Sequence, residues 1–314
     1  MLASSCTASR VQYNCIRNYG KDLSYMDNFT IQFLNGLANG MLLFVMAAGL
    51  SLIFGQMNVV NLSHGAFYLI GSYIGYTVVN RFGNFWLALL VAPPIVGFFG
   101  YFIERYLLRG FYGGKNHLKQ VLLTFGIAVA LTAVIEWVWG TLNLAVQPPA
   151  ILSRQIPILG VQYPLYRFSL IIFGVLLALG MWLIWERTRI GAIVRAGVSD
   201  AKMVSGLGIN IERVFAGVFV FGTMLATLSG VLGAPIYSIS IDLGFEILIL
   251  AIVVVVIGGL GSLTGAFWGA LIIGMANSFG KALIPEFSLF IIFAVMAIVL
   301  LVKPSGLFGL ERFE

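Results

Sequence analysis

Polar positions in this sequence interrupt long apolar runs instead of alternating with them. A helix needs roughly 20 largely apolar residues to cross a hydrocarbon core. Runs of that kind recur at Leu34–Phe54, Val59–Val79, Phe85–Leu108, Leu118–Leu142, Leu165–Trp185, Val214–Ile236, Phe245–Leu260, Ala266–Leu283 and Leu289–Val302. The pattern predicts an all-α polytopic transmembrane helix bundle of nine candidate spans. The count ranges from eight to ten, because two of the apolar stretches are internally broken. Gln56, Asn58, Asn61 and His64 interrupt Leu34–Gly71, and Gly258–Ser262 interrupts Ile247–Gly274. Interruptions of this kind predict broken or re-entrant helices. A faint internal echo, His64-Gly65-Ala66-Phe67 against Thr264-Gly265-Ala266-Phe267, follows each break. Glycines at Gly36/Gly40, Gly71/Gly75 and Gly261/Gly265/Gly269 predict helix faces smooth enough for close packing.

Composition fixes the solvent. Of 314 residues, 60% are hydrophobic and only 10% charged, and the mean hydropathy is +0.99. A soluble domain carries about 25% charge, so this chain faces lipid over most of its surface. A cytosolic enzyme, a nucleic-acid binder and a disordered segment are excluded, and the high pI of about 9.4 reflects orientation in the bilayer instead of contact with DNA. Nine of the 18 basic residues fall in two short segments, 104–119 and 186–213. Basic loops stay in the cytoplasm, which places both there and the N-terminus outside. Asn143–Pro164, with four prolines, is the longest external segment. The polar stretch 1–26 is an extension, either a short disordered tail or an upstream-assigned start, and residues 27–314 form one transmembrane domain. Cys6 and Cys15 both lie in that extension, so no disulfide framework or cysteine metal site is expected in the body.

Candidate chemistry is sparse, and no cofactor or metal is expected. The densest polar set is Asn58, Asn61, Ser63, His64 and Gly65. Polar groups in hydrocarbon either pair internally or line a cavity, so this set is read as a translocation path or as a network tying helices together. There is no G-x-x-x-x-G-K-[ST] phosphate loop, no H-E-x-x-H pair, no arginine series and no TVGYG-like filter. From the residues alone an ion-coupled transporter stays open, with His64 and Glu136 as its only plausible proton carriers. From Arg195 to Ser205 the second basic loop reads as a short amphipathic helix stopped by Gly206 and Gly208. Such a helix lies in a partner's groove or on the lipid surface.

That loop carries a resemblance. Asp200-Ala201-Lys202-x-x-x-Gly206 is similar to the E-A-A-x-x-x-G coupling loop of importer permeases. Gly191-x-x-x-Arg195-Ala196 and Gly206-Leu207-Gly208-Ile209-Asn210 resemble the form found in the LivH-type branched-chain amino acid permeases of bacterial ABC importers. Gly49–Gly55, followed by Asn61-Leu-Ser-His-Gly65, resembles the family's N-terminal signature. Val253–Ser262 with Gly265-Ala266 resembles its late glycine-rich one. The resemblance runs from about Met26 to the C-terminus. The chain departs from the family at Ala66, where an acidic residue is frequent, and at Asp200 and Lys202. The resemblance implies an importer-permease fold with broken helices in a bacterial inner membrane, and a pathway for branched-chain or related amino acids. Urea or short-chain amides are the alternative solutes. It also implies two ATP-binding cassette subunits, a second homologous permease and an external solute-binding protein as partners, with membrane lipid around them. Arg195, Asp200, Ala201, Gly206 and Gly208 would then form the ATPase-coupling loop.

Overall fold

Helix α1 (Cys6–Met57) is a central helix of the bundle, and four of the other long helices pack on it, α10 most extensively. The computed structural model describes residues 6–57, 61–111, 117–158, 160–199 and 201–309, with the side chains of 6–27, 117, 198–199 and 201–202 left undescribed. Around α1 stand α2 (His64–Phe82), α3 (Phe85–Ile103), α4 (His117–Trp139), α5 (Leu165–Arg187), α8 (Ile211–Gly233), α9 (Leu243–Gly258), α10 (Leu263–Leu283) and α11 (Ser288–Val302). These match the nine apolar runs of the sequence. Two short helices, α6 (Arg189–Ser199) and α7 (Ala201–Gly206), occupy the second basic loop.

Among the described residues, seven helices are long and apolar enough to cross a membrane. The other two long ones, α2 and α9, lie within the bundle. Helix α9 has 16 residues, about 24 Å of rise against a core of about 30 Å. Helix α2 starts deep inside. His64 meets the Met46 carbonyl, 11 residues before the end of α1, or about 16 Å back along that helix. The expected span Val59–Val79 therefore begins later, at His64. Residues 61–63, just before it, are buried or half-buried non-helical backbone, which hydrocarbon tolerates only where protein surrounds it.

Small residues set the packing distances. A Cβ on Gly274 would lie 2.5 Å from both the Cα and the amide nitrogen of Gly40 and 2.5 Å from the Gly36 carbonyl oxygen. The α1–α10 contact thus exists only without side chains there, as the Gly36/Gly40 spacing predicts. Helix α2 meets α8 in the same way, where Gly71 abuts Thr227, and Ser72 Oγ donates to the Gly230 carbonyl at 3.0 Å. One part of the glycine reading changes. Gly261 lies in the turn before α10, so only Gly265 and Gly269 belong to that helix, and both face α9.

The two expected breaks are both present, and the echoed tetrapeptides open α2 and α10. Gly65 packs on the start of α9 at Gly244, and Gly265 packs on its end at Gly258. On the outer side, β1 (Gln155–Ile158) and β2 (Val161–Pro164) pair antiparallel, Gln155 opposite Pro164. This hairpin is the one departure from an all-helical fold among the described strands. A backbone bridge between Leu144 and Ile239 fastens the same external segment to the α8–α9 connection. On the opposite side, the chain after α11 folds back under α9. Leu307 and Phe308 donate to the carbonyls of Ile257 and Gly258 at 2.8 and 2.9 Å, which satisfies groups that a helix end leaves open.

Candidate functional site

The break before α2 is built from short-range polar bonds. Asn61 Oδ1 accepts from the Ser63 amide at 3.1 Å and from Ser63 Oγ at 2.5 Å. The Leu62 amide donates to Thr124 Oγ1 of α4 at 3.3 Å. His64 Nε2 lies 3.2 Å from the Met46 carbonyl, and with a carbonyl as partner it is the donor. The imidazole seats against Gly49, where a Cβ would sit 3.1 Å from the ring and 2.7 Å from the Gly222 carbonyl. Asn61, Ser63 and His64 are each fully buried. Asn61 Nδ2 and His64 Nδ1 have no hydrogen-bond partner. Gly65 borders a crevice of about 10 Å³ with Leu62, Thr132 and Gly244, roughly the room one water needs. Asn58 lies outside the described residues. The structure brings Asn61, Ser63, His64 and Gly65 together, as the sequence suggests, inside packed protein.

A larger space lies elsewhere. A cavity of about 960 Å³ opens between the ends of α1, α5 and α10 and the C-terminal segment. Its walls include Gln56, Trp182, Trp185, Arg195, Thr264 and Trp268, a mixture of aromatic surface and few polar groups such as small-molecule sites use. None of Asn61, Ser63, His64 and Gly65 reaches it. Trp182 and Trp185, on the last turns of α5, both line the cavity. Trp185 is buried and stacks on Phe221 with centroids 6.1 Å apart. Sequence reasoning missed this space because its wall comes from several segments far apart in the chain. The only local signal was the pair of helix breaks beside it.

The second basic loop forms the floor next to that cavity. The expected helix from Arg195 to Ser205 is helical on both sides of Asp200, as α6 and α7. Asp200, between them, lies outside the described residues. Ala201 opens α7, and its side chain is not described. Arg195 donates from Nη1 to the Trp185 carbonyl and lies 3.7 Å from Glu186, which ties α6 to the end of α5. Gly206 ends α7 with nothing within 4 Å of a Cβ built on it. Gly208 turns the chain at a φ of 85°, a left-handed conformation that costs other residues about 1–2 kcal/mol. Met203 and Leu207 are 71% and 77% exposed. Asn210 then caps α8 by accepting from the Arg213 amide at 3.1 Å.

The first basic segment touches the second. Arg109 Nη1 lies 3.3 Å from Glu212, and its Nη2 lies 3.0 Å from Glu104. Both segments are thus on one face of the bundle, as the charge rule requires. Glu104, which the sequence counts among loop charges, is fully buried. Another polar group sits at the outer end. Asn35 Oδ1 accepts from Arg167 Nη1 at 2.6 Å and from Tyr163 OH at 3.2 Å. Burial pushes the Tyr163 hydroxyl up to about 12, against the opposing pull of Arg167.

Residues 32–300 match the family described as branched-chain amino acid transport system, permease component. The chain is 30% identical over 297 residues to the high-affinity branched-chain amino acid transport system permease protein BraD of Pseudomonas aeruginosa, covering 90% of this chain and 96% of BraD. It is also 30% identical over 307 residues to LivH of Escherichia coli K12, named in the same words, covering 91% and 97% of the two chains. The permease protein LivM, given the same system name in that bacterium, is 23% identical over 305 residues, covering 87% of this chain and 69% of LivM.

Proposed function

This chain belongs to the family of branched-chain amino acid transport permease components, and on that premise we propose that it is the multi-pass permease subunit of an ATP-driven importer. It supplies the translocation path for branched-chain or related amino acids across the inner membrane. The observation that carries this reading is similarity to permease proteins of that name over nine-tenths of the chain.

The chemistry fits a subunit that guides solute and leaves energy supply to others. The chain has no phosphate loop, so two ATP-binding cassette subunits are the proposed source of work. A second permease is the proposed other half of the channel. Escherichia coli has both LivH and LivM under one system name. An external binding protein is the proposed source of solute.

The path follows the 960 Å³ cavity toward the cytoplasm, large enough for an amino acid by the usual size of small-molecule sites. Asn61, Ser63, His64 and Gly65, with Asn58, are proposed to frame that path by fixing where α2 starts. Arg195, Asp200, Ala201, Gly206 and Gly208 are proposed to form the loop that meets the ATPase. The exposed apolar side chains of Met203 and Leu207, outside the membrane helices, suit a protein groove.

Co-purification with the ATPase subunits tests the loop. Gly206 has open space around it, so Gly206→Arg is expected to fold normally and to lose the ATPase. A variant that keeps both the ATPase and transport contradicts the proposed docking.

A further inference from the structure

Helix α3 does not end as an ordinary helix. Its last turn, Glu104–Leu108, is widened to a π turn, in which the Arg109 amide bonds the Glu104 carbonyl five residues back. In a regular α-helix, side chains five residues apart diverge by about 140°. The widened turn brings them onto one face, and Arg109 closes on Glu104 with two contacts, Nη2 at 3.0 Å and Nε at 3.3 Å. The Glu104 side chain has no exposed surface, whereas that of Arg109 keeps 23%. A buried carboxylate is costly without such a partner. Single-turn π bulges concentrate at functional sites.

The same guanidinium reaches out to α8. Its Nη1 lies 3.3 Å from Glu212, whose side chain is 60% exposed. Glu212 is in the first turn of α8, four residues past the Gly208 turn that ends the cytoplasmic loop. Higher up, α3 and α8 touch through Gly97 against Met224 and Gly100 against Thr223. At the cytoplasmic end, Arg109 supplies a polar link between the two helices.

We infer that Arg109 is a positioning residue of the transport cycle. Bound to Glu104 in the π turn, it holds Glu212, and so makes the end of α3 follow the head of α8 when the cytoplasmic loop is moved. The inference rests on the reading that this loop receives the ATPase. Among the described residues, polar contacts then tie the loop to α5 through Arg195 and, by way of Glu212, to α3 through Arg109. The link carries force and takes no part in holding solute.

The experiment uses the complete importer (both permeases, the ATPases and the binding protein) in proteoliposomes, and reads leucine moved per ATP hydrolysed. Glu212→Gln removes the charge of the outer contact, leaving at most a neutral hydrogen bond, and keeps the buried pair intact, so the variant is expected to assemble like the wild type. Its leucine-to-ATP ratio is expected to fall at least about fivefold, the lower range of coupling between sites. Arg109→Gln is expected to lower the ratio further, and Arg109→Lys to restore part of it, since an ammonium keeps charge but not the fork. If Arg109→Gln does not assemble, Glu212→Gln alone decides. An unchanged ratio in Glu212→Gln overturns the inference and leaves a purely structural ion pair. Failure of the wild-type assembly to couple uptake to ATP would instead strike at the importer reading beneath it.

Discussion

His64 shows how much a single residue can reveal in sequence. A cluster of amides and a histidine inside an apolar run marks a special place, because such groups need partners in hydrocarbon. The sequence does not show which partner, since the Met46 carbonyl lies 18 residues away and comes within reach only where α1 passes the start of α2. His64→Ala removes that bond and its packing, and a cost of about 1–3 kcal/mol is expected. Thermal unfolding of the purified permease should show it, with the solute concentration for half-maximal uptake by the assembled importer unchanged. A shift in that concentration without loss of stability would put His64 in contact with solute. Glu104 teaches the converse. It heads the first basic segment at the end of an apolar run, which reads as a boundary charge, yet the π turn folds it inward against Arg109. Five-residue spacing carries no such signal until the turn is known to be widened.

At the scale of elements, the helices were legible because apolar length is a direct requirement of the bilayer. The positions of their ends were less so. Helix α2 starts only at His64, because Asn61 and Ser63 bond each other in place of opening a helix. The glycine spacings did mark helix faces, and a matched pair of substitutions tests this. Gly274→Leu forces side chain into backbone at 2.5 Å and is expected to cost about 3 kcal/mol, the upper range of ordinary overpacking. Gly126→Leu, on α4 with nothing within 4 Å of its Cβ, should leave the midpoint nearly unchanged. Thermal unfolding of the two side by side checks the pair, and equal losses would contradict the role given to the α1–α10 contact. The capping of α8 is a smaller effect. Asn210→Ala removes its side-chain bond to the Arg213 amide, at an expected cost of about 1 kcal/mol.

For the whole molecule, the cavity is the feature that the sequence could not supply. Its wall draws on α1, α5, α6, α10 and the C-terminal segment, among others, and no local pattern connects residues so far apart in the chain. Its accessibility is testable, because the only native cysteines are Cys6 and Cys15. With both replaced by serine, Thr264→Cys in the cavity wall should react from the cytoplasmic side with a membrane-impermeant maleimide. Ser63→Cys, fully buried, should react only after unfolding. The reverse order would move the path to the break before α2. Membership of the permease family underlies the proposal that this chain moves solute with work done by partners. Leucine uptake into proteoliposomes tests that most directly. Uptake should require ATP on the cytoplasmic face together with the ATPases, the second permease and the loaded binding protein. Uptake by this chain alone, driven by an ion gradient without ATP, would contradict it.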